Sequence, residues 1–238
     1  MAVATKSGIY NGYKVIGTQT LGLRGLVLWL KFNEGSGNIA YDSSFYNNHG
    51  TIYGATWTDG KFGKALSFDG VDDYVEVPYD ASLDPSSELT IEHWIYPRAF
   101  ATGVTQRIVQ RAGGTWGTYL VVDSSELWFY VDTTDDGGSW QRVKYALPST
   151  HQWYHIVGTY DGSELRLYVN GELKDSTPQS KAPDKAEGIP LNIGRTQAGI
   201  QYFNGTIDEV RIYNRALSEN EIKMLYYNRI GAVPSKTI

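Results

Sequence analysis

From residue 26 onward the chain reads as short apolar and aromatic runs separated by clusters of Gly, Asp, Asn and Ser. LVLWLKF (26–32), LTIEHWIYP (89–97), TQRIVQRA (105–112), TYLVVDS (118–124), LWFYVDT (127–133), WQRVKYAL (140–147) and WYHIVGTYDG (153–162) each have the length and residue types of a strand. Their spacing is that of a β-sandwich. In ELRLYVNGELKDS (164–176), Asn170-Gly171 supplies the two positive φ angles of a type I′ hairpin turn. Segment 177–190 is the longest polar, Pro-containing loop.

The closing stretch, 203–226, organises the rest. Asn204-Gly205 reads as a turn, followed by a long alternating strand with Ile207, Val210, Ile212 and Tyr213 among Asp208, Glu209 and Arg211. Strict alternation would send Asp208 and Glu209 to opposite faces. Ser218 and Glu221 have capping-box spacing for a short final helix, with Ile222, Met224 and Leu225 as its apolar face. No 10–15-residue helical pattern stands between strands, which excludes a parallel α/β arrangement. The expected fold class is all-β: a two-sheet antiparallel jellyroll sandwich with one short C-terminal helix.

Residues 1–25 follow another pattern. Asn11-Gly12 between two short apolar runs predicts a hairpin. This arm either packs on its own domain or reaches a neighbour by strand addition. The expected divisions are an arm over 1–25, a domain over 26–230 and a tail over 231–238.

The 238 residues contain no cysteine, so disulfides and thiolate metal sites are excluded. The net charge of −5 argues against nucleic acid as a partner, because phosphate binding needs a basic face. No apolar run approaches a membrane span, and residues 1–25 hold no secretory h-region. Aromatics reach 13%, with 18 Tyr and 7 Trp, which suits strands, interfaces and sugar-stacking surfaces alike.

Four segments together resemble the LamG-like jellyroll domains (laminin G/pentraxin-like) of the concanavalin A-like lectin/glucanase group: LVLWLKFNEGSG (26–37), DSSFYNNHGTIYG (42–54), KFGKALSFDGVDDYVEVP (61–78) and 203–226. The resemblance begins at Leu26 and does not reach the arm. It implies a closing strand whose Asp sits near a bound calcium, and Trp94 as an inward core residue.

Oxygen ligands in turns suit calcium, and three acidic places qualify by residue type: Asp42, the Asp69/Asp72/Asp73 turn, and Asp208 with Glu209. Asp in such turns also commonly caps its own backbone. Carried over by motif, the resemblance implicates Asp208, with Asp42 and Glu34 as companions, and calcium as a structural cofactor.

A glycosidase needs two carboxylates about 5–9 Å apart facing one cleft. The Glu-x-Asp-x-x-Glu strand of the glucanase relatives does not occur here, and Glu92 stands alone in its strand. His93 and His155 lie within strand patterns and read as paired strand residues. The chain is therefore expected not to be an enzyme.

Sugar sites place aromatic faces beside Asp, Asn and Gly loops. Trp116 between glycines, Trp140 after Asp135 and Asp136, and Tyr202 after a polar stretch are the expected ligand-binding residues. Two readings stand: a non-catalytic, calcium-stabilised domain that binds a glycan or cell-surface polysaccharide, and a structural subunit that self-assembles through residues 1–25. Either places the chain outside the cell or on a virion surface; with no Sec-type signal in this chain, either export uses another route or the chain is a mature or virion-type protein that needs none.

Overall fold

The computed structural model describes residues 8–10, 13–15, 23–85, 87–100, 103–111, 115–121, 123–132 and 141–227. Strands follow the chain as β1 (Gly8–Tyr10), β2 (Tyr13–Val15), β3 (Leu26–Leu30), β4 (Ile39–Ala40), β5 (Gly50–Tyr53), β6 (Thr56–Asp59), β7 (Lys64–Asp69), β8 (Tyr74–Val77) and β9 (Leu89–Pro97). They continue as β10 (Gln106–Arg111), β11 (Trp116–Leu120), β12 (Glu126–Val131), β13 (Gln141–Ala146), β14 (Tyr154–Tyr160), β15 (Glu164–Val169), β16 (Glu172–Pro178), β17 (Leu191–Ile193) and β18 (Asn204–Tyr213), and helix α1 is Glu219–Tyr226.

Two antiparallel sheets face each other. One runs β13-β12-β11-β10-β17-β8-β5-β4; the other runs β16-β15-β14-β9-β18-β7-β6, with β3 also paired to β18. The acidic turn after β7 therefore carries the chain from the second sheet to the first. Strands β1 and β2 form a separate two-stranded sheet with Tyr10 opposite Tyr13, as the Asn11-Gly12 signal predicts. At one margin the sheets are tied together where Lys144 N donates to Asp175 Oδ2 at 2.9 Å.

The core lies between the sheets, where Leu28, Leu30, Phe68, Ile91, Phe129, Ile156, Leu167, Ile207 and Val210 are buried. Packing is close: a Cβ on Gly158 of β14 would lie 2.4 Å from the Phe129 ring. Asn170 and Gly171 take φ of 54° and 79°, as the type I′ turn between β15 and β16 requires.

Three expectations change. Asn204 and Gly205 are the first residues of β18, not a turn. The glycine is demanded by packing instead, since a Cβ there would stand 2.6 Å from Tyr96 O. Trp94 faces outward from β9 rather than into the core; it is covered by Phe62, in edge contact at 5.4 Å, and by Tyr226, stacked at 5.8 Å.

The third change is at Asp208 and Glu209. Asp208 sits opposite Trp94 and Arg211 opposite Glu92, so β18 holds one more residue than β9 over this interval. That is a β-bulge, with Glu209 at φ 55°. It cancels the alternation that would have put the two carboxylates on opposite faces.

Helix α1 covers part of the second sheet's outer face, where Ile222 and Leu225 pack with Leu26, Trp29, Val157, Tyr168 and Tyr213. Its start is the expected capping box: Glu221 N donates to Ser218 Oγ at 3.4 Å and Ser218 N to Glu221 Oε2 at 2.9 Å. Arg215 holds the same carboxylate through Nη1 at 3.0 Å and Nη2 at 2.6 Å.

Candidate functional site

The outer face of the first sheet carries two cross-strand rows. In one, Arg107 of β10 lies opposite Tyr119 of β11, Tyr119 opposite Trp128 of β12, and Trp128 opposite Lys144 of β13. In the other, Gln110, Gly117, Tyr130 and Arg142 follow in the same order, and Asn192 and Glu76 extend the row across β17 and β8. Directly opposed residues share a face of the sheet; on it Tyr119, Tyr130, Gln110 and Asn192 are buried, Arg107, Trp128 and Glu76 are half-buried, and Arg142 and Lys144 are exposed.

That surface is built from rings and planar polar groups. The Arg142 guanidinium lies 4.0 Å from the Trp128 ring centroid and Arg107 4.2 Å from that of Tyr119. Glu126 steadies the far end, accepting from Trp128 Nε1 at 2.9 Å and Lys144 Nζ at 3.0 Å. These hydrogen bonds, that from Lys144 first, hold the Glu126 carboxyl below the usual range. Arg142 is exposed and has no carboxylate partner among the described residues. In the middle of the face, Gln110 Oε1 and Arg107 Nη1 are buried without a hydrogen-bond partner.

Asn192 and Arg195 complete the polar row. Arg195 Nε donates to Asn192 Oδ1 at 2.9 Å, its Nη2 to Glu76 Oε2 at 3.1 Å, and Asn192 Nδ2 to Gln197 Oε1 at 2.6 Å.

The expected ligand-binding residues distribute unevenly around this face. Tyr202 is half-buried in the loop between β17 and β18. That loop docks on the face, with Arg107 N donating to Gln201 O at 2.9 Å and Arg107 Nε to Gln201 Oε1 at 3.0 Å. Asp135, Asp136 and Trp140 fall between β12 and β13 in the sequence and lie outside the described residues. Trp116 is corrected: it opens β11, points into the core and is 0% exposed, so no sugar can stack on it. Trp128, Tyr119, Arg107 and Arg142 were missed, although the alternation in LWFYVDT and QRVKYA separates these outward positions from the inward ones.

The acidic positions sort by what their oxygens already do. Asp42 Oδ1 accepts from Trp29 N and Ser44 N, both at 2.8 Å, and Oδ2 from Ser44 Oγ at 2.6 Å and Asn48 N at 2.9 Å. Four donors occupy the carboxylate, so Asp42 organises its loop and does not fit as a metal ligand. Asp208 and Glu34 differ. Asp208 Oδ2 accepts from Phe62 N at 3.0 Å and Glu34 Oε1 from Tyr41 N at 2.9 Å, while Asp208 Oδ1 and Glu34 Oε2 are buried without partners. Both border the 60–64 turn, since Asn33, next to Glu34, accepts from Lys64 N at 2.7 Å. Burial, with Glu209 beside it, pushes the Asp208 carboxyl up to about 7. An orphaned carboxylate oxygen on each residue has the chemistry of a hard cation's ligand.

The Asp69, Asp72 and Asp73 oxygens lie within 4.8 Å of one another. They also tie their own turn: Asp69 Oδ1 accepts from Val71 N at 2.7 Å and Asp73 Oδ2 from Asp69 N at 2.8 Å.

Glu92 and Glu209 do not form an open carboxylate pair of the glycosidase kind. Glu92 is fully buried between Arg211 Nη1 at 2.6 Å and His155 Nε2 at 3.0 Å, and Glu209 accepts from Arg211 Nη2. His93 Nε2 meets Thr118 Oγ1 at 2.8 Å. Both strand histidines are paired, as expected from their positions.

Comparison with known proteins agrees with this architecture. Residues 69–223 match the family model described as the concanavalin A-like lectin/glucanases superfamily. Human adhesion G-protein coupled receptor D1 is 36% identical over 103 residues, 42% of this chain and 12% of the receptor. Human usherin is 26% identical over 154 residues, 59% of this chain and 3% of usherin. The chain thus spans only a small part of these relatives.

Among solved structures, the binding domain of Paraclostridial Mosquitocidal Protein 1 superposes with a TM-score of 0.71 at 22% identity, covering 86% of this chain and 52% of that one. Domain 4 of AbnA, an extracellular arabinanase from Geobacillus stearothermophilus solved with arabinotriose, gives 0.68 at 22% identity over 84% of this chain and 98% of that one. These likenesses are of fold, a jellyroll used by binding domains. With the family model matched over well over half its length, the chain belongs to the concanavalin A-like lectin/glucanases superfamily.

Proposed function

We propose that this chain is a non-catalytic carbohydrate-binding domain that recognises a glycan or cell-surface polysaccharide outside the cell or on a virion surface. The observation that carries the reading is the outer face of the first sheet. There Trp128 and Arg142 form an accessible aromatic and cationic pair, with the partly exposed carboxylate of Glu76 farther along the face and the buried Tyr119, Gln110 and Asn192 beneath as support. A pyranose offers apolar C–H faces and a ring of hydroxyls, and an aromatic ring flanked by carboxylate and guanidinium groups matches both. Tyr202 belongs to the loop that docks on this face, which supports its assignment as a contact, and Asp135, Asp136 and Trp140 are proposed as contacts from the sequence alone. The glycan-bound arabinanase domain and a toxin binding domain solved in complex with SialylT share the fold, which favours a sugar over other ligands. Glycan-array binding of the intact chain and of Trp128→Ala tests the reading.

Calcium is proposed as a structural ion held by Asp208 and Glu34, supported by their two orphaned oxygens. Bound there, it would neutralise the buried carboxylates and join the closing strand to the N-terminal half. No described helix is long and apolar enough to cross a membrane.

A second reading, self-assembly through residues 1–25, is favoured by one observation: among the described residues, β1 and β2 pair with each other and with no strand of either large sheet. A lone two-stranded sheet is marginal in water and gains by joining an exposed sheet edge. Light scattering compares the intact chain with one lacking residues 1–25. Assembly predicts larger particles only for the intact chain, and a monomeric intact chain removes this reading.

A further inference from the structure

Away from the sheet face, a cleft of about 510 Å³ opens between the β15–β16 hairpin, the end of β13 and the C-terminal turn of α1. Its size falls within the range of small-molecule sites. We infer that this cleft is a second, independent sugar site, one that takes one or two neutral pyranose rings.

The walls are aromatic and fixed. Tyr226 stacks on Trp94 at 5.8 Å with a 14° interplanar angle and on His155 at 5.9 Å with 29°. Gly171 at the hairpin tip lets the strand connection close over that ring, because a Cβ there would stand 3.2 Å from it. Tyr227 stands next to it, its ring centroid 5.0 Å away at 58°, and the residue is 62% exposed. The two rings make a corner, one ring supported from below and the other presented to solvent.

Polar groups of both kinds surround the corner. Asn170 Oδ1 accepts from His155 N at 2.9 Å, which fixes the amide, and Nδ2 has no hydrogen-bond partner among the described residues. Glu172 is a carboxylate acceptor whose side chain is 72% exposed, steadied by Lys174 at 2.7 Å. Lys223 lies 3.9 Å from Glu219, too long for a hydrogen bond, and its ammonium is a second donor at the rim. Cations and carboxylates are nearly balanced, so the cleft has no strong preference for an anionic or cationic ligand. Donors and an acceptor around two rings instead suit adjacent hydroxyls on a neutral ring with an apolar face. The inference does not depend on the sheet face: β13 borders both sites, but they use different residues, and each can fail alone.

The test is a titration of the intact ¹⁵N-labelled chain with the methyl glycosides of glucose, galactose, mannose and N-acetylglucosamine, followed by backbone amide shifts. The inference predicts saturable shifts at residues 170–172 and 223–227 with at least one glycoside. Tyr227→Ala should weaken that binding about tenfold or more, Tyr227→Phe should retain it, and Trp128→Ala should leave it unchanged. Glu172→Gln, an exposed change that leaves the packing untouched, should also weaken it. The absence of shifts in these segments with all four glycosides overturns the inference, as does binding that survives both Tyr227→Ala and Glu172→Gln.

Discussion

Trp29 donates its indole Nε1 to Glu209 Oε2 at 2.7 Å, joining residues 180 positions apart in the chain. The contact ties β3, near the start of the sandwich, to the bulge of the closing strand. Glu209 and Glu92 then share the guanidinium of Arg211, which lies 4.5 Å from the Trp29 ring centroid. Burial pushes the Glu92 carboxyl up, and Arg211 with His155 more than offsets it, so it stays below the usual range. Burial dominates at Glu209, whose carboxyl is raised.

Arg211→Met would leave two buried carboxylates facing each other without a counter-ion. Removing one member of a buried ionic network typically costs about 3–5 kcal/mol. The denaturation midpoint should fall accordingly with an unchanged denaturant slope. A loss below about 1 kcal/mol would mean that water reaches the triad and the network contributes little.

Glu221 gives the pH dependence a sign. Hydrogen bonds from Arg215, with those of the capping box, hold its carboxyl at about 2, against 4.5 for the free group. A carboxyl lowered by folding contributes stability that is present above its unfolded value and lost as pH falls through its folded one. Wild type should therefore lose its advantage over Glu221→Gln between about pH 4.5 and about pH 2. Thermal melts of both proteins across that window check it. A constant gap at all pH values would assign the effect to packing instead.

Much of this was readable from local sequence. The Asn170-Gly171 turn and the Ser218–Glu221 capping box depend on two to four consecutive residues, and both stand as expected. The face to which an aromatic turns was harder. Trp94 lies in an apolar run and Trp116 among glycines, yet the first lies outside the sandwich under Phe62 and Tyr226 and the second inside it. Only the partners across and above the sheet decide this. The bulge at Glu209 is likewise set by pairing with β9, and no local residue announces it. Asp42 illustrates the remaining difficulty, because acidic loop residues that bind a cation and those that cap backbone amides have the same composition.

The calcium proposal predicts that chelator lowers the melting temperature and that Asp208→Ala removes the difference. A ligand at about a hundred times its dissociation constant stabilises by about 2.7 kcal/mol if it binds only the folded state. Asp42→Asn should leave the chelator effect in place while weakening the loop. Identical melts with calcium and with chelator would remove the ion from the account.

The most direct measurement of the central claim is glycan-array binding of the intact chain beside Trp128→Ala and Arg142→Ala, each verified as folded by circular dichroism. Trp128 is half-buried and Arg142 exposed, so neither change opens the core. The account predicts saturable binding to a defined set of glycans, weakened about tenfold or more by either substitution. Binding that both variants retain in full, or no binding to any glycan by the intact chain, would contradict it.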